Sequence, residues 1–129
     1  MAFPFIKAMK KFVKIKENYV FRRSYRRGKE LVSPYFVIYA TPNRRVMPRL
    51  GITVGKKLGG AVKRNRAKRV ITAAFRQCLP YIKPNYDFII VARTRILDVK
   101  STVVADSMLK LMRQANILKT DEKAVNKAD

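Results

Sequence analysis

Side chains that could perform chemistry are scarce in this sequence of 129 residues. It has no histidine and one cysteine, Cys78, which excludes a Ser/His or Cys/His nucleophile pair and a zinc site built from these ligands. Hydrolysis would instead need a general base, or carboxylates grouped around metal ions. Among the eight acidic residues only Asp121 and Glu122 are adjacent, near the C-terminal end. Asp87 is interpreted as a lone metal contact or as a strand-end cap. The sequence therefore predicts no catalytic residue and no metal site in the protein.

Positive charge is abundant instead. Thirty lysines and arginines stand against eight acidic residues, which gives a net charge of +22. No acidic residue occurs between Glu30 and Asp87, whereas an ordinary solvated surface mixes both signs. Such a field attracts polyanions, nucleic acid first and an anionic membrane second.

The most basic segment, residues 56–76, combines positive charge with a helical apolar pattern. It begins with paired lysines and two glycines, and its later residues predict a helix. Arginines on a rigid helix give multi-donor contacts to phosphates, and the helix N-terminus adds backbone donors. We therefore interpret the segment as an RNA-docking helix, in which Arg64 lies unexpectedly near the apolar edge. The apolar stripe consists of Ala67, Val70, Ile71, Ala74, Phe75 and Cys78.

Aromatic residues accompany the charge at two further places. Phe21 and Tyr25 share one face of a predicted short helix, residues 19–27, with Asn18 as its N-cap and Gly28 as its stop. Tyr39 lies on the amphipathic side of a predicted strand. The spacing of Phe21 and Tyr25 favours simple packing of both rings against the core. It is also compatible with single-stranded bases stacking on these aromatic side chains.

The order of the elements predicts an α+β two-layer sandwich, with a small central sheet and helices on one face. Strands are expected at residues 35–40 and 49–55, joined as a hairpin, and at 87–93 in a central position. Residues 28–34 leave room for one more strand, which the predicted order of elements treats as optional. The last helix is expected at residues 103–117, capped by Ser101 or Thr102.

One RNA-binding domain is predicted for the whole chain. Residues 1–16 are interpreted as a flexible basic arm, residues 17–118 as the globular core and residues 119–129 as a disordered tail. The apolar patch near the N-terminus is interrupted by Pro4, and lysines follow it. In a secretory signal the positive charges come before the apolar segment, so the expected location is the cytoplasm. A membrane-surface role is disfavoured because the most basic face lacks interfacial aromatic residues.

The sequence closely resembles the protein subunit of bacterial ribonuclease P, over about residues 13–117. The most specific match is the signature Arg64-Asn65-Arg66 followed by Lys68-Arg69. Other matches, in the family's order, are the pattern of Phe21, Tyr25 and Gly28 and the strands at residues 36–39 and 86–93.

The resemblance implies a specific function. The family's enzyme removes the 5′ leader from precursor tRNA, and its catalyst is the RNA subunit with bound Mg²⁺, so the partners would be ribonuclease P RNA and precursor tRNA. By position, a cleft of Phe21, Tyr25 and Tyr39 would bind the single-stranded leader. The family also implies a left-handed β-α-β crossover. The residues expected to dock the RNA subunit are Lys56, Lys57, Arg64, Asn65, Arg66, Lys68 and Arg69.

An alternative is a structural RNA-binding protein of ribosomal type, without a role in cleavage. It would share the charge and the fold, and a similar fold occurs in a domain of a ribosomal small-subunit protein. It would not need an open aromatic cleft, so the combination of aromatic residues and signature helix favours the ribonuclease P assignment.

Overall fold

The computed structural model describes residues 11–45 and 47–119. Within them five strands form one mixed sheet, in the spatial order β1-β4-β5-β3-β2. The pairs β1–β4 and β4–β5 are parallel, and the pairs β5–β3 and β3–β2 are antiparallel. The strands are β1 (Val13–Lys14), β2 (Lys29–Val32), β3 (Phe36–Pro42), β4 (Arg49–Thr53) and β5 (Tyr86–Ala92).

Three α-helices pack on this sheet in the same described residues: α1 (Asn18–Arg27), α2 (Ala61–Cys78) and α3 (Ser101–Gln114). Short 3-10 turns precede α2, follow α2 and precede α3. None of the helices in the described part of the chain is long and apolar enough to cross a membrane.

The main core lies between one face of the sheet and the helices α2 and α3. Alternation along β3 buries Phe36, Ile38 and Ala40, as predicted, and β5 adds Phe88 and Ile90. The apolar stripe of α2 is also confirmed, since five of its six residues are buried and the sixth, at position 70, is partly buried.

A smaller core lies on the opposite face. There Val20 of α1 packs with Ile15 and Ile89, and Phe21 and Tyr39 pack against them. Successive strand residues point to opposite faces, so α1 covers the face that α2 and α3 leave open. The α+β class with a small central sheet is confirmed, but the expectation that all helices lie on one face is wrong.

The strand pairing differs from the prediction at one important point. β3 and β4 were expected to form a hairpin, but β5 lies between them and pairs with both. The chain therefore passes from β4 through α2 into a parallel neighbour, which is a β-α-β unit. The left-handed crossover stays an expectation from the resemblance. Residues 28–34, where a further strand was optional, do contain one, β2, and β5 is central as predicted.

Element boundaries also need correction. Asn18 and Ser101 are the first residues of α1 and α3 rather than their caps, and neither helix has a side-chain cap. β1 and the buried Ile15 give structure to part of the predicted flexible arm. Gly28 does end α1, since its N–H donates to the Ser24 carbonyl at 2.8 Å. The rest of the predicted arm, residues 1–10, and the tail from residue 120 lie outside the described residues.

Candidate nucleic-acid interface

Phe21, Tyr25 and Tyr39 lie side by side on the face of the sheet that α1 covers. The ring centroids of Phe21 and Tyr25 are 6.5 Å apart, and Tyr25 meets Tyr39 edge-to-face at 5.1 Å. Tyr25 is 42% exposed and the other two are partly buried. The structure thus assembles three residues from two distant segments into one group, which we call the aromatic cluster. Its exposed ring surfaces are suited to stacking with unpaired bases.

The packing of Phe21 depends on a glycine beneath it. A Cβ atom on Gly51 would lie 2.7 Å from Phe21 Cζ and 2.8 Å from Ile89 Cδ1, both shorter than van der Waals contact. Any side chain at this position of β4 would displace the Phe21 ring. Gly51 was not among the predicted site residues, because its role depends on a contact across 30 positions that no local pattern indicates.

Hydroxyl groups give the aromatic cluster a polar edge. The Tyr25 hydroxyl is hydrogen-bonded to Thr53 Oγ1 at 2.9 Å, and the Tyr39 hydroxyl donates to Glu30 Oε2 at 3.4 Å. Burial and the nearby Glu30 carboxylate raise the pKa of Tyr39 above its usual 10.0. Tyr39 therefore stays protonated at neutral pH, and its hydroxyl donor is occupied by Glu30, so what the cluster offers a ligand is its ring faces.

The predicted docking helix is α2, and its charged residues face solvent. Gly60 precedes it without a side-chain cap, so the first N–H groups of the helix have no partner from a capping side chain. Gly59 adopts a φ of 126°, a conformation that favours glycine, at the turn between the paired lysines and the helix. Six of the seven predicted docking residues are exposed: Lys56, Lys57, Asn65, Arg66, Lys68 and Arg69.

Arg64 differs from the other six. It is partly buried, and its Nε atom is buried without a hydrogen-bond partner among the described residues. Its position near the apolar edge of α2 is therefore confirmed. An unpaired buried donor costs free energy, and no described residue offsets this cost at Arg64.

A shallow groove runs along the outer side of α2. It is lined by Lys68, Arg69, Thr72, Ala73 and Arg76. The guanidinium of Arg76 lies over the ring of Phe12, 5.4 Å from its centroid, and Phe12 packs on Phe75. Neither Thr72 nor Phe12 was among the predicted site residues. The position of Thr72 on the outer side of α2 follows from the helical period once the helix is placed.

Asp87 is an ion-pair partner in the structure rather than a free strand-end cap. Its two carboxylate oxygens accept hydrogen bonds from Arg49 Nε at 2.8 Å and Arg49 Nη2 at 2.7 Å, and the Asn43 amide donates a further one. Burial opposes the charged form, but these bonds and the charges of Arg49 and Arg23 outweigh it, so the pKa of Asp87 falls below its usual 3.8. The carboxylate is thus charged and fully used by protein partners.

The described residues contain no cluster of three or more metal-binding side chains. Cys78 is buried, and burial raises its pKa to about 12, so its thiol stays protonated at neutral pH and is a poor nucleophile. The arrangement is therefore suited to binding RNA by charge and stacking, on two opposite faces of one sheet.

Known proteins resemble this chain along most of its length. The model of the family described as Ribonuclease P matches residues 9–116. The ribonuclease P protein component of Geobacillus sp. is 39% identical over 117 residues, which cover 89% of this chain and 100% of the relative. That of Thermoanaerobacter sp. is 35% identical over 114 residues, which cover 88% of this chain and 98% of the relative.

Solved structures agree with this result. The RNase P protein of Staphylococcus aureus has a TM-score of 0.72 at 34% identity and covers 84% of this chain and 100% of its own. The RNase P protein from Thermotoga maritima has a TM-score of 0.70 at 28% identity and covers 78% of this chain and 96% of its own. The mixed sheet with its helices is therefore the fold of these proteins.

Proposed function

The chain belongs to the ribonuclease P protein family, as the protein component of an endoribonuclease, and from this premise we propose that it has two RNA ligands. It binds the catalytic RNA through α2, and it binds the single-stranded 5′ leader of precursor tRNA through the aromatic cluster. By holding both it promotes cleavage at the 5′ end of the mature tRNA. The compartment in which it acts is the cytoplasm.

The observation that carries this proposal is the position of the aromatic cluster and α2 on opposite faces of the sheet. Gly51 of β4 lies under Phe21, and Thr53 of the same strand contacts Tyr25. Within a few residues the chain then reaches Lys56 and Lys57, which precede α2. One strand therefore connects the two surfaces, so a leader on one and the catalytic RNA on the other are held at a fixed separation.

In this proposal the protein positions RNA and the RNA subunit performs the chemistry. Mg²⁺ held by the RNA subunit would supply an activated water and charge stabilisation for the leaving oxygen. The described protein residues bring no three metal-binding side chains together, and the buried Asp87 is used by Arg49 and Asn43. What the protein contributes is phosphate neutralisation on α2 and base stacking on the aromatic cluster.

A reconstitution experiment tests the proposal. Purified protein is mixed with a bacterial ribonuclease P RNA and precursor tRNA at low Mg²⁺, and 5′ cleavage is followed over time. We expect the protein to accelerate cleavage over the RNA alone and to bind leader-bearing tRNA more tightly than mature tRNA. Cleavage no faster than with RNA alone would overturn the proposal and would favour a structural RNA-binding role of ribosomal type.

A further inference from the structure

A second groove lies on the α1 face of the sheet, on the other side of α1 from the aromatic cluster. In the sheet register, Tyr39, Ile89 and Gly51 are neighbours in one row under the aromatic cluster. The next row on the same face, two residues along each strand, contains Asp87 and Arg49. Helix α1 crosses the strands here, because Phe21 contacts the first row and Arg23 reaches the second.

Arginines line both walls of this second groove. On α1, Tyr19, Arg23 and Arg27 recur every four residues and so share one side of the helix. The groove has a volume of about 650 Å³, and we call it the arginine groove. The opposite wall comes from the end of β3, the loop after it and the start of β4: Thr41, Pro42, Asn43, Arg44, Arg45 and Arg49.

The arginine groove carries excess positive charge. Five arginines line it, and Asp87 is the one carboxylate within 4.0 Å of any of them in the described residues, which leaves a net charge of 5 − 1 = +4. Arg27, Arg44 and Arg45 are exposed and have no ion pair within that part of the chain. A cluster of like charges with too few counter-charges repels itself, so an anion that enters it is stabilised.

The groove is also organised in advance. Asp87 holds Arg49 through two hydrogen bonds and attracts Arg23 at 3.8 Å. The Asn43 side chain donates to Asp87 and accepts the backbone N–H of Arg45 at 2.8 Å, which ties the loop to the sheet. Less ordering is therefore needed when a ligand binds.

We propose that the arginine groove binds the phosphate backbone of the 5′ leader beyond the nucleotides that stack on the aromatic cluster. This inference rests on the proposed function of that cluster. Guanidinium groups match phosphate oxygens with paired donors, whereas the groove offers few groups that would distinguish one base from another. Its contribution is therefore independent of leader sequence and depends on leader length.

A path between the two sites exists on the outer side of α1. Arg22 and Arg26 are exposed there, and on the helical wheel they lie between Tyr25 and the side that carries Arg23 and Arg27. The helix contains no acidic residue. A strand that leaves the aromatic cluster therefore meets arginines continuously as it passes over α1 into the groove.

Leader length provides the test. Holoenzyme is assembled with wild-type protein or with the double variant Arg44→Ala/Arg45→Ala, and its affinity is measured for precursor tRNAs with leaders of about 4 and about 12 nucleotides. For the wild type we expect tighter binding of the long leader. The double variant should reduce that gain about tenfold, because two exposed guanidinium groups no longer bind phosphates. Its salt slope for the long leader should fall by about 0.7 for each phosphate that is no longer neutralised.

A charge-matched control is available on α3. The double variant Lys110→Ala/Arg113→Ala removes the same charge from the other face of the sheet, and it should retain the gain from the longer leader. Urea midpoints of both variants verify that the fold is intact.

The outcomes separate the inference from the function on which it rests. If the arginine variant binds the long leader more tightly than the short one to the same extent as the wild type does, the inference is overturned. The proposed leader-binding function would then still stand. Weaker binding to the RNA subunit, with the gain from leader length intact, would assign the groove to that RNA and overturn the inference as well. A wild-type holoenzyme that does not distinguish leader-bearing from mature tRNA would overturn the proposed function itself.

Discussion

Helices α1 and α2 are both rich in arginine, but they are attached to the protein in different ways. Helix α2 has 18 residues and buries five side chains, including Phe75 and Ile71, in the main core. Helix α1 has 10 residues and buries two, Val20 and Ser24, over the smaller core. Apart from Arg64 and Arg76, the charged residues of α2 are thus separate from its anchor. On α1, by contrast, the aromatic residues that we expect to bind RNA also hold the helix in place.

This difference determines how substitutions act. We expect that removing an exposed arginine from α2 weakens RNA binding and leaves packing almost unchanged, since surface substitutions away from special contacts typically cost less than about 0.5 kcal/mol. Substitutions beneath or within α1 alter the site and its stability together. Each prediction about α1 therefore needs a stability measurement beside the binding measurement.

The largest effect is expected where the sheet beneath α1 holds a buried charge. Asp87→Ala leaves Arg49 buried without its partner, and we expect a loss of about 3–5 kcal/mol in the free energy of unfolding, measured with urea. The control is Arg23→Ala, which removes a partly exposed ion pair at 3.8 Å and should cost less than about 1 kcal/mol. Similar losses for the two variants would contradict this account of the pair.

Gly51→Ala tests the contact between β4 and α1. The new Cβ would overlap Phe21 and Ile89, so we expect a loss of about 1–3 kcal/mol in stability and weaker binding of leader-bearing tRNA. Gly55→Ala is the matched control, since a Cβ there meets no atom within 4 Å. If Gly51→Ala bound leader-bearing tRNA as the wild type does, the Phe21 ring position would not matter.

Phe21→Ala tests stacking in the aromatic cluster. We expect binding of leader-bearing tRNA to weaken by about 1–3 kcal/mol, the usual value of one base stacked on an aromatic ring, with a smaller effect on mature tRNA. The urea midpoint is measured beside it, because Phe21 also packs against the smaller core. Tyr81→Ala removes an exposed aromatic residue that lies outside the cluster, and it serves as the control for the loss of an aromatic ring. Equal losses for both tRNAs would indicate that Phe21 only packs the core.

Much of the site could be predicted from the sequence because its signals are local. The period of the apolar stripe places α2, and the four-residue spacing of Phe21 and Tyr25 puts them on one face. Alternation along β3 assigns Phe36 to the core and Tyr39 to the other face, and it is the fold that brings Tyr39 to Tyr25.

The features that were not predicted depend on distant partners. The two residues of β1 have no pattern of their own and become a strand by pairing with β4. The insertion of β5 between β3 and β4 follows from the route of α2, which no turn residue indicates. The Arg49–Asp87 pair joins positions 38 apart, and only the finished sheet shows that they meet.

The smallest effect is expected on α2. Arg66→Ala/Arg69→Ala should leave the urea midpoint almost unchanged, because both side chains are exposed. It should weaken binding of ribonuclease P RNA and lower the salt slope by about 0.7–0.9 for each phosphate that the variant no longer neutralises. An unchanged slope would mean that these residues do not face phosphates.

The central claim is that the two faces of the sheet bind two different RNA ligands. The most direct test uses four proteins: the wild type, Phe21→Ala, Arg66→Ala/Arg69→Ala and the combination of all three changes. Each is titrated with ribonuclease P RNA, and each assembled holoenzyme, at saturating protein, is titrated with leader-bearing and mature tRNA. We predict that the α2 changes weaken only RNA-subunit binding, that Phe21→Ala weakens only leader-dependent binding, and that the combined free-energy changes add within about 0.5 kcal/mol. The claim would be contradicted if Phe21→Ala or Arg66→Ala/Arg69→Ala weakened both the binding of ribonuclease P RNA and the leader-dependent binding of tRNA.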